Sequence, residues 1–349
     1  MCRGDCMPTP FGNLPDGRAV QRHVIGSVQL ELHVLDLGAT AHQLHVAGHG
    51  NVLLGHGDAA SQLETRAYLG STVGRYANRI AKGQFTLDGH LYQLGTNEGP
   101  HTLHGGPDGF HRRLWRVVDV SASSITLALD SPDGDQGFPG NLSCTATYTV
   151  DGDTVTIAYR AHTDKPTPVN LTNHAYFNLD GEAGDSIDRH QIVVHASRYT
   201  PIAEDLIPLG RLAEVAASPL DLRVATPIGP VIRHPDQQLL WARGLDHNFA
   251  IDGLGMRPAA SLYSAASGLG LTVSTDQPGL QVYTANHLDG AIAGPSGRVY
   301  RQGAGIALET QLFPDSPNQE SFPTSILEPD HTYHSITTWQ FSRDPEARA

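Results

Sequence analysis

A histidine set in a row of polar side chains is the first feature with chemical promise. Taken two residues at a time, the stretch Thr167 to Leu179 places Asn170, Thr172, His174, Tyr176 and Asn178 on one side, and Val169, Leu171, Ala175, Phe177 and Leu179 on the other. Lys, Glu or Ser would be the ordinary solvating choices on a strand that only closed a core. Amides, a hydroxyl, a phenol and an imidazole form instead a set suited to binding many hydroxyl groups, as on the floor of a sugar site. The competing reading is a solvated strand whose histidine is incidental.

Four other stretches share this character. Asn78 and Arg79, in G-R-Y-A-N-R-I-A-K, offer an amide and a forked guanidinium to hydroxyl oxygens. His104, in H-T-L-H-G-G, precedes two glycines, where a backbone without side chains would leave room for a ligand. Asp246, in L-D-H-N-F-A-I-D, stands just ahead of an expected strand. In G-I-A-L-E-T-Q-L-F-P-D-S, Ile306 and Leu308 alternate with Ala307 and Glu309, so the carboxylate emerges opposite two apolar anchors. An ordinary exposed glutamate would show the same pattern, and both readings stand on this segment alone.

The elements that must carry these side chains read as strands. Alternation marks Gly26 to Asp36, His42 to Ala47, Asn51 to Leu54, Trp115 to Val120, Ile125 to Asp130, Leu142 to Val150 and Gln191 to His195. It also marks Leu271 to Thr275, Leu280 to Thr284, Gly305 to Glu309 and Ser335 to Phe341. Hairpins are expected about Asp88-Gly89 and Asp151-Gly152. One short helix fits, His234 to Arg243, opened by Pro235 and closed by Gly244, and nothing reaches the length of a βαβ crossover. With no linker or repeat dividing the chain, the expectation is an all-β protein: a polar leader over residues 1–22 and one large antiparallel β-sandwich over 23–345, with few short helices.

Bulk properties narrow the function. The 349 residues carry a net charge of −13, and Lys82 and Lys165 are the only lysines. Without clustered cations there is no counterion release to drive binding, so neither nucleic acid nor an anionic membrane is an expected partner. Three cysteines, Cys2, Cys6 and Cys144, make no disulfide framework, and no apolar run is long enough to span a bilayer. A reducing, cytoplasmic setting is expected, as a monomer or homodimer. His101, His104 and His111 are conceivable metal ligands, but neither H-E-x-x-H nor C-x-x-C occurs, and no metal or other cofactor is expected. G-x-S-x-G is absent too, which disfavours a serine hydrolase.

Taken together and in order, G-R-Y-A-N-R-I-A-K-G, H-T-L-H-G-G, N-L-T-N-H-A-Y-F-N-L, D-H-N-F, G-L-Q-V-Y-T-A-N and A-L-E-T-Q-L-F-P-D-S-P-N-Q closely resemble the aldose 1-epimerases, or galactose mutarotases, from about Val28 to Phe341. The resemblance implies a supersandwich fold of galactose mutarotase type and a cofactor-free interconversion of the α and β anomers of a free hexose. It implies Glu309 as general base and His174 as general acid, with Asn78, Arg79, His104, Asp246 and Gln281 on sugar-contacting positions. Ring opening by such a pair calls for an ionised Glu309 and a protonated His174, facing each other across a gap wide enough for a pyranose. Two alternatives share the fold: a sugar-phosphate mutarotase, which would want more Arg or Lys at the rim, and a carbohydrate-binding protein without catalysis.

Overall fold

The computed structural model describes residues 7–64 and 66–343, and its architecture is all-β and antiparallel. The largest sheet has nine strands, in the order Arg116–Val120, Ser124–Ser131, Leu142–Asp151, Thr154–Thr163, Tyr333–Ser342, Leu269–Thr275, Arg257–Ser264, Gln191–Val194 and Thr226–Pro227. Its long strands bury every second residue. Leu142, Cys144, Ala146, Tyr148 and Val150 point inward, and the threonines and serine between them are more exposed. Their partners Val155, Ile157, Tyr159 and Ala161 continue the same buried layer.

A second sheet of six strands runs Tyr176–Phe177, Ile306–Gln311, Gly279–Tyr283, Asp246–Ala250, Arg198–Tyr199 and Ala213–Glu214. One of its faces supplies Phe177, Phe249, Leu280, Val282, Ile306 and Leu308 to the apolar core it shares with the nine-stranded sheet. Phe177 meets Trp339 edge to face with ring centroids 5.0 Å apart, a contact that joins the two layers. A third sheet of five strands spans Thr9–Asn13, Ala19–Gly26, Leu30–Leu35, Thr40–Val46 and Gly50–Asn51. It adds Leu30, Leu32, Val34 and Leu44 to that core.

Two expectations from the sequence about these elements need correction. Thr167 to Leu179 is not one strand but three two-residue pieces that pair with three different segments: Thr167–Pro168 with Ile326–Leu327, Thr172–Asn173 with Thr72–Val73, and Tyr176–Phe177 with Ile306–Ala307. The two-residue period is still obeyed, because Val169, Leu171, Ala175, Phe177 and Leu179 all enter the main core. The expected leader supplies two strands, Thr9–Asn13 and Ala19–Gly26, while its first six residues lie outside those described. Its pairing went unread because the first of these strands carries a glycine and a proline and buries none of its five residues.

The expected helix is there as Gln237–Ala242. Asp236 caps it by accepting the Gln238 N–H at 2.9 Å, and Arg243 ends it in a left-handed conformation ahead of Gly244. Two others, Ala59–Glu64 and Ile228–Ile232, are too short to leave a periodic signal. No helix among the described residues is long and apolar enough to cross a membrane.

Candidate active site

Above the six-stranded sheet, on the face away from the core, lies a cavity of about 610 Å3. Strand register builds its floor. Gln281 is directly opposite Glu309 on one side and Asn248 on the other, and Tyr283 is opposite Ala307 and Asp246. Alternation therefore turns Asp246, Tyr283 and Glu309 to the cavity while Leu280, Val282 and Leu308 turn to the core. Tyr176 stands on the edge strand of this sheet, and His174 on the irregular stretch just before it. Glu309 Oε1 and His174 Nε2 stand 3.5 Å apart, both side chains almost wholly buried. The two groups are neighbours rather than opposite walls, which corrects the expectation of a pyranose-wide gap between them.

Two loops make the wall. The Asn78 N–H donates to His104 Nδ1 at 3.0 Å, and the Asn78 side-chain oxygen accepts the Arg79 N–H at 2.9 Å. Asn78 and His104 hold positive φ, 67° and 51°, as the turns that aim them inward require. With Nδ1 accepting, a neutral His104 carries its proton on Nε2 and can only donate there. The glycines after His104 do not clear space for a ligand, as the sequence suggested. A Cβ on Gly105 would lie 2.0 Å from the Gly74 carbonyl oxygen, so that glycine seats one loop against the other.

Arg79 is held from two sides. Glu98 takes its Nε and one terminal nitrogen at 2.7 and 2.9 Å, and Asp246 Oδ2 lies 3.6 Å away. Burial works to lower the Arg79 pKa, but Asp246 and Glu98 outweigh it and hold the guanidinium firmly charged. Asp246 is fixed in turn by the Gln281 amide, which donates to its Oδ1 at 2.6 Å.

Burial governs the acid and base candidates as well. It lowers His174 to about 4, and it lowers His104 well below the usual imidazole range, with His174 and Arg79 adding to the effect. Burial, and then the neighbouring Asp246 charge, pushes Glu309 well above the usual carboxylate range, against the pull of Arg79. Both shifts run toward a neutral Glu309 and a neutral His174 rather than the ion pair expected from the sequence. Those two states contain the same single proton, placed on one partner or the other.

Residues 22–340 match the family model for aldose 1-epimerase. The chain belongs to the aldose 1-epimerase family. It is 41% identical over 340 residues to the galactose mutarotase of Rattus norvegicus, covering 96% of this chain and 98% of that one. It is 39% identical over 337 residues to the aldose 1-epimerase of Escherichia coli K12, covering 94% and 96%. The crystal structure of galactose 1-epimerase from Lactobacillus acidophilus NCFM aligns with a TM-score of 0.85 at 28% identity, over 96% of this chain and 98% of that one. This family member is accordingly an isomerase with the mutarotase fold.

Against this background the sequence-derived residues sort clearly. Asn78, Arg79, His104, His174, Asp246 and Glu309 all line the one cavity. Gln281 does not line it; it sits behind Asp246, and its Oε1 is buried without a protein partner. Of the polar row first singled out, only His174 and Tyr176 reach the cavity. Asn170 and Asn178 bond backbone carbonyls instead. Sequence reasoning missed Tyr68, whose ring lies 4.6 Å from that of His104 and 5.7 Å from that of His174. It also missed Glu98, and neither residue sits in a pattern that would have marked it. Among the described residues, His101, His104 and His111 do not gather into a metal-capable group.

Proposed function

We propose that this protein equilibrates the α and β anomers of free aldohexoses, galactose and glucose, by acid/base ring opening and reclosure. Glu309 is the base and His174 the acid. What supports the assignment above all is the 3.5 Å contact between Glu309 Oε1 and His174 Nε2 at the floor of the cavity. The two oxygens that exchange protons, the anomeric hydroxyl and the ring oxygen, are bonded to the same carbon, so acid and base must be close neighbours. Glu309 takes the anomeric proton while His174 protonates the ring oxygen. Rotation about the C1–C2 bond presents the other face of the aldehyde, and the same two transfers run backwards. No proton is gained or lost over the cycle, which suits a pair that shares one. Each positioned acid or base typically supplies about 10²- to 10⁴-fold.

Asn78, Arg79, His104 and Asp246 orient the sugar hydroxyls, and Gln281 acts through Asp246. A phosphorylated sugar fits poorly. Glu98, Asp246, Asp289 and Glu309 line the cavity against Arg66 and Arg79, and Arg79 is already paired. Polarimetry on freshly dissolved α-D-galactose and α-D-glucose is expected to show faster equilibration with the protein, and little effect on a hexose 6-phosphate. Equilibration no faster than in buffer would refute the proposal.

A further inference from the structure

We propose that the outer face of the five-stranded sheet holds a binding site for a late first-row divalent cation such as Zn2+, built from Glu31, His33 and His45. Register places these side chains together. Glu31 and His33 are two residues apart on Leu30–Leu35 and share its outer face, since Leu30, Leu32 and Val34 point to the core. On the adjacent strand His45 is directly opposite Glu31, and Gln43 directly opposite His33. Side chains facing each other across an antiparallel pair start about 5 Å apart at Cβ, so the four form a compact square of nitrogen and oxygen donors.

One ligand atom from each of Glu31, His33 and His45 lies within 4.8 Å of the other two, and Glu31 Oε1 is 2.9 Å from His33 Nε2. The His33 and His45 rings have centroids 5.1 Å apart. A tetrahedral ion bound at about 2.0–2.2 Å by nitrogen and oxygen holds its ligand atoms roughly 3.3–3.6 Å apart, so the Glu31–His33 pair must open slightly while the His45 nitrogen moves inward. The exposed Glu31 and the half-buried histidines can close the remaining distance by small rotamer changes. Two imidazoles with one carboxylate favour zinc, copper or nickel over calcium or magnesium, which prefer all-oxygen cages. The Gln43 side-chain oxygen, 3.5 Å from His45 Nε2, is a neighbouring fourth donor.

Two further observations bear on the choice. Arg22 lies within electrostatic reach of His33 and weakens any cation bound there. The other group of metal-capable side chains, His104, His174 and Glu309, is a poorer site. His104 Nδ1 accepts the Asn78 N–H, so its cavity-facing nitrogen bears a proton and has no lone pair to give.

Titration calorimetry and thermal unfolding of the full chain with ZnCl2 test this, with the anomerisation rate followed in parallel. One equivalent should bind, raise Tm and leave the rate unchanged, because the site ties two strands together away from the cavity. His33→Ala and His45→Ala should each weaken binding by more than about tenfold. Should His33→Ala not fold, His45→Gln serves in its place. Absence of binding, binding unaltered by these variants, or binding that inhibits the reaction would overturn the assignment.

Discussion

The nine-stranded and the six-stranded sheets are both antiparallel and share one core, yet they use their second faces differently. Leu142–Asp151 alternates between buried and more exposed positions, with threonines and a serine between its apolar residues. In Ile306–Gln311, Gly279–Tyr283 and Asp246–Ala250 every residue is buried. The polar side chains of Leu142–Asp151 lie on its more exposed side and need no other reason to be there. On the six-stranded sheet, Asp246, Gln281 and Glu309 are polar although hidden. Burying a carboxylate is costly unless it is paired or loses its charge. The cost falls where charge is useful, and it is what drives Glu309 out of its ordinary range.

If this contrast is right, changes on the hidden polar face and changes in the shared core should separate into losses of rate and losses of stability. The largest loss of rate is expected for Glu309→Gln and His174→Asn, each lowering kcat by about 10²- to 10⁴-fold while the fold and the affinity for sugar persist. Polarimetry with a binding assay checks this, and a full rate in either variant would dissolve the contrast. Leu308→Ala lies one residue from Glu309 on the core side. It should cost about 2–5 kcal/mol of unfolding free energy, read from denaturant curves, with a smaller effect on kcat at temperatures where the protein stays folded.

The pH profile should sharpen the same point. A second proton reaches the Glu309–His174 pair only as His174 titrates, at about 4, and the shared proton leaves only well above the usual carboxylate range. Below the first limit the base is lost, and above the second the acid is lost. Polarimetric kcat/KM should be flat through neutrality and fall beyond those limits, whereas an acid limb near 6.5 would mean an unperturbed histidine. The smallest effect is expected on the outer face of the large sheet. Thr147 there meets Thr126 hydroxyl to hydroxyl at 3.0 Å. Thr147→Ala should change stability by about 0.2–1 kcal/mol in thermal unfolding and leave the rate alone.

The same contrast explains what the sequence could disclose. Leu142–Asp151 and Thr154–Thr163 are legible because one face meets water, so hydropathy alternates along them. Glu309 is legible in part, since Ile306 and Leu308 betray the core face, although the pattern alone leaves open whether the other side is solvent or cavity. Thr167 to Leu179 misleads about strand continuity for a related reason. Its period is set by core on one side and buried polar contacts on the other, with no single ladder running its length. Gln281 belongs by position to the polar face, but its role behind Asp246 depends on a side-chain contact that spacing does not encode. Glu98 and Tyr68 reach the cavity through loop geometry, which leaves no periodic trace.

The close approach of Gly105 to Gly74 carries one more consequence. Because nothing larger than hydrogen fits between those backbones, the segment bearing His104 and the segment bearing Asn78 and Arg79 are seated as a single block. That block is also anchored to the chain beyond Glu309, since the Asp315 N–H donates to the Arg79 carbonyl at 2.8 Å and its carboxylate accepts the Ala81 N–H at 2.9 Å. A methyl group added at position 105 would therefore be felt at Asn78, Arg79 and His104 together, disarranging three cavity-lining side chains by a single crowded atom.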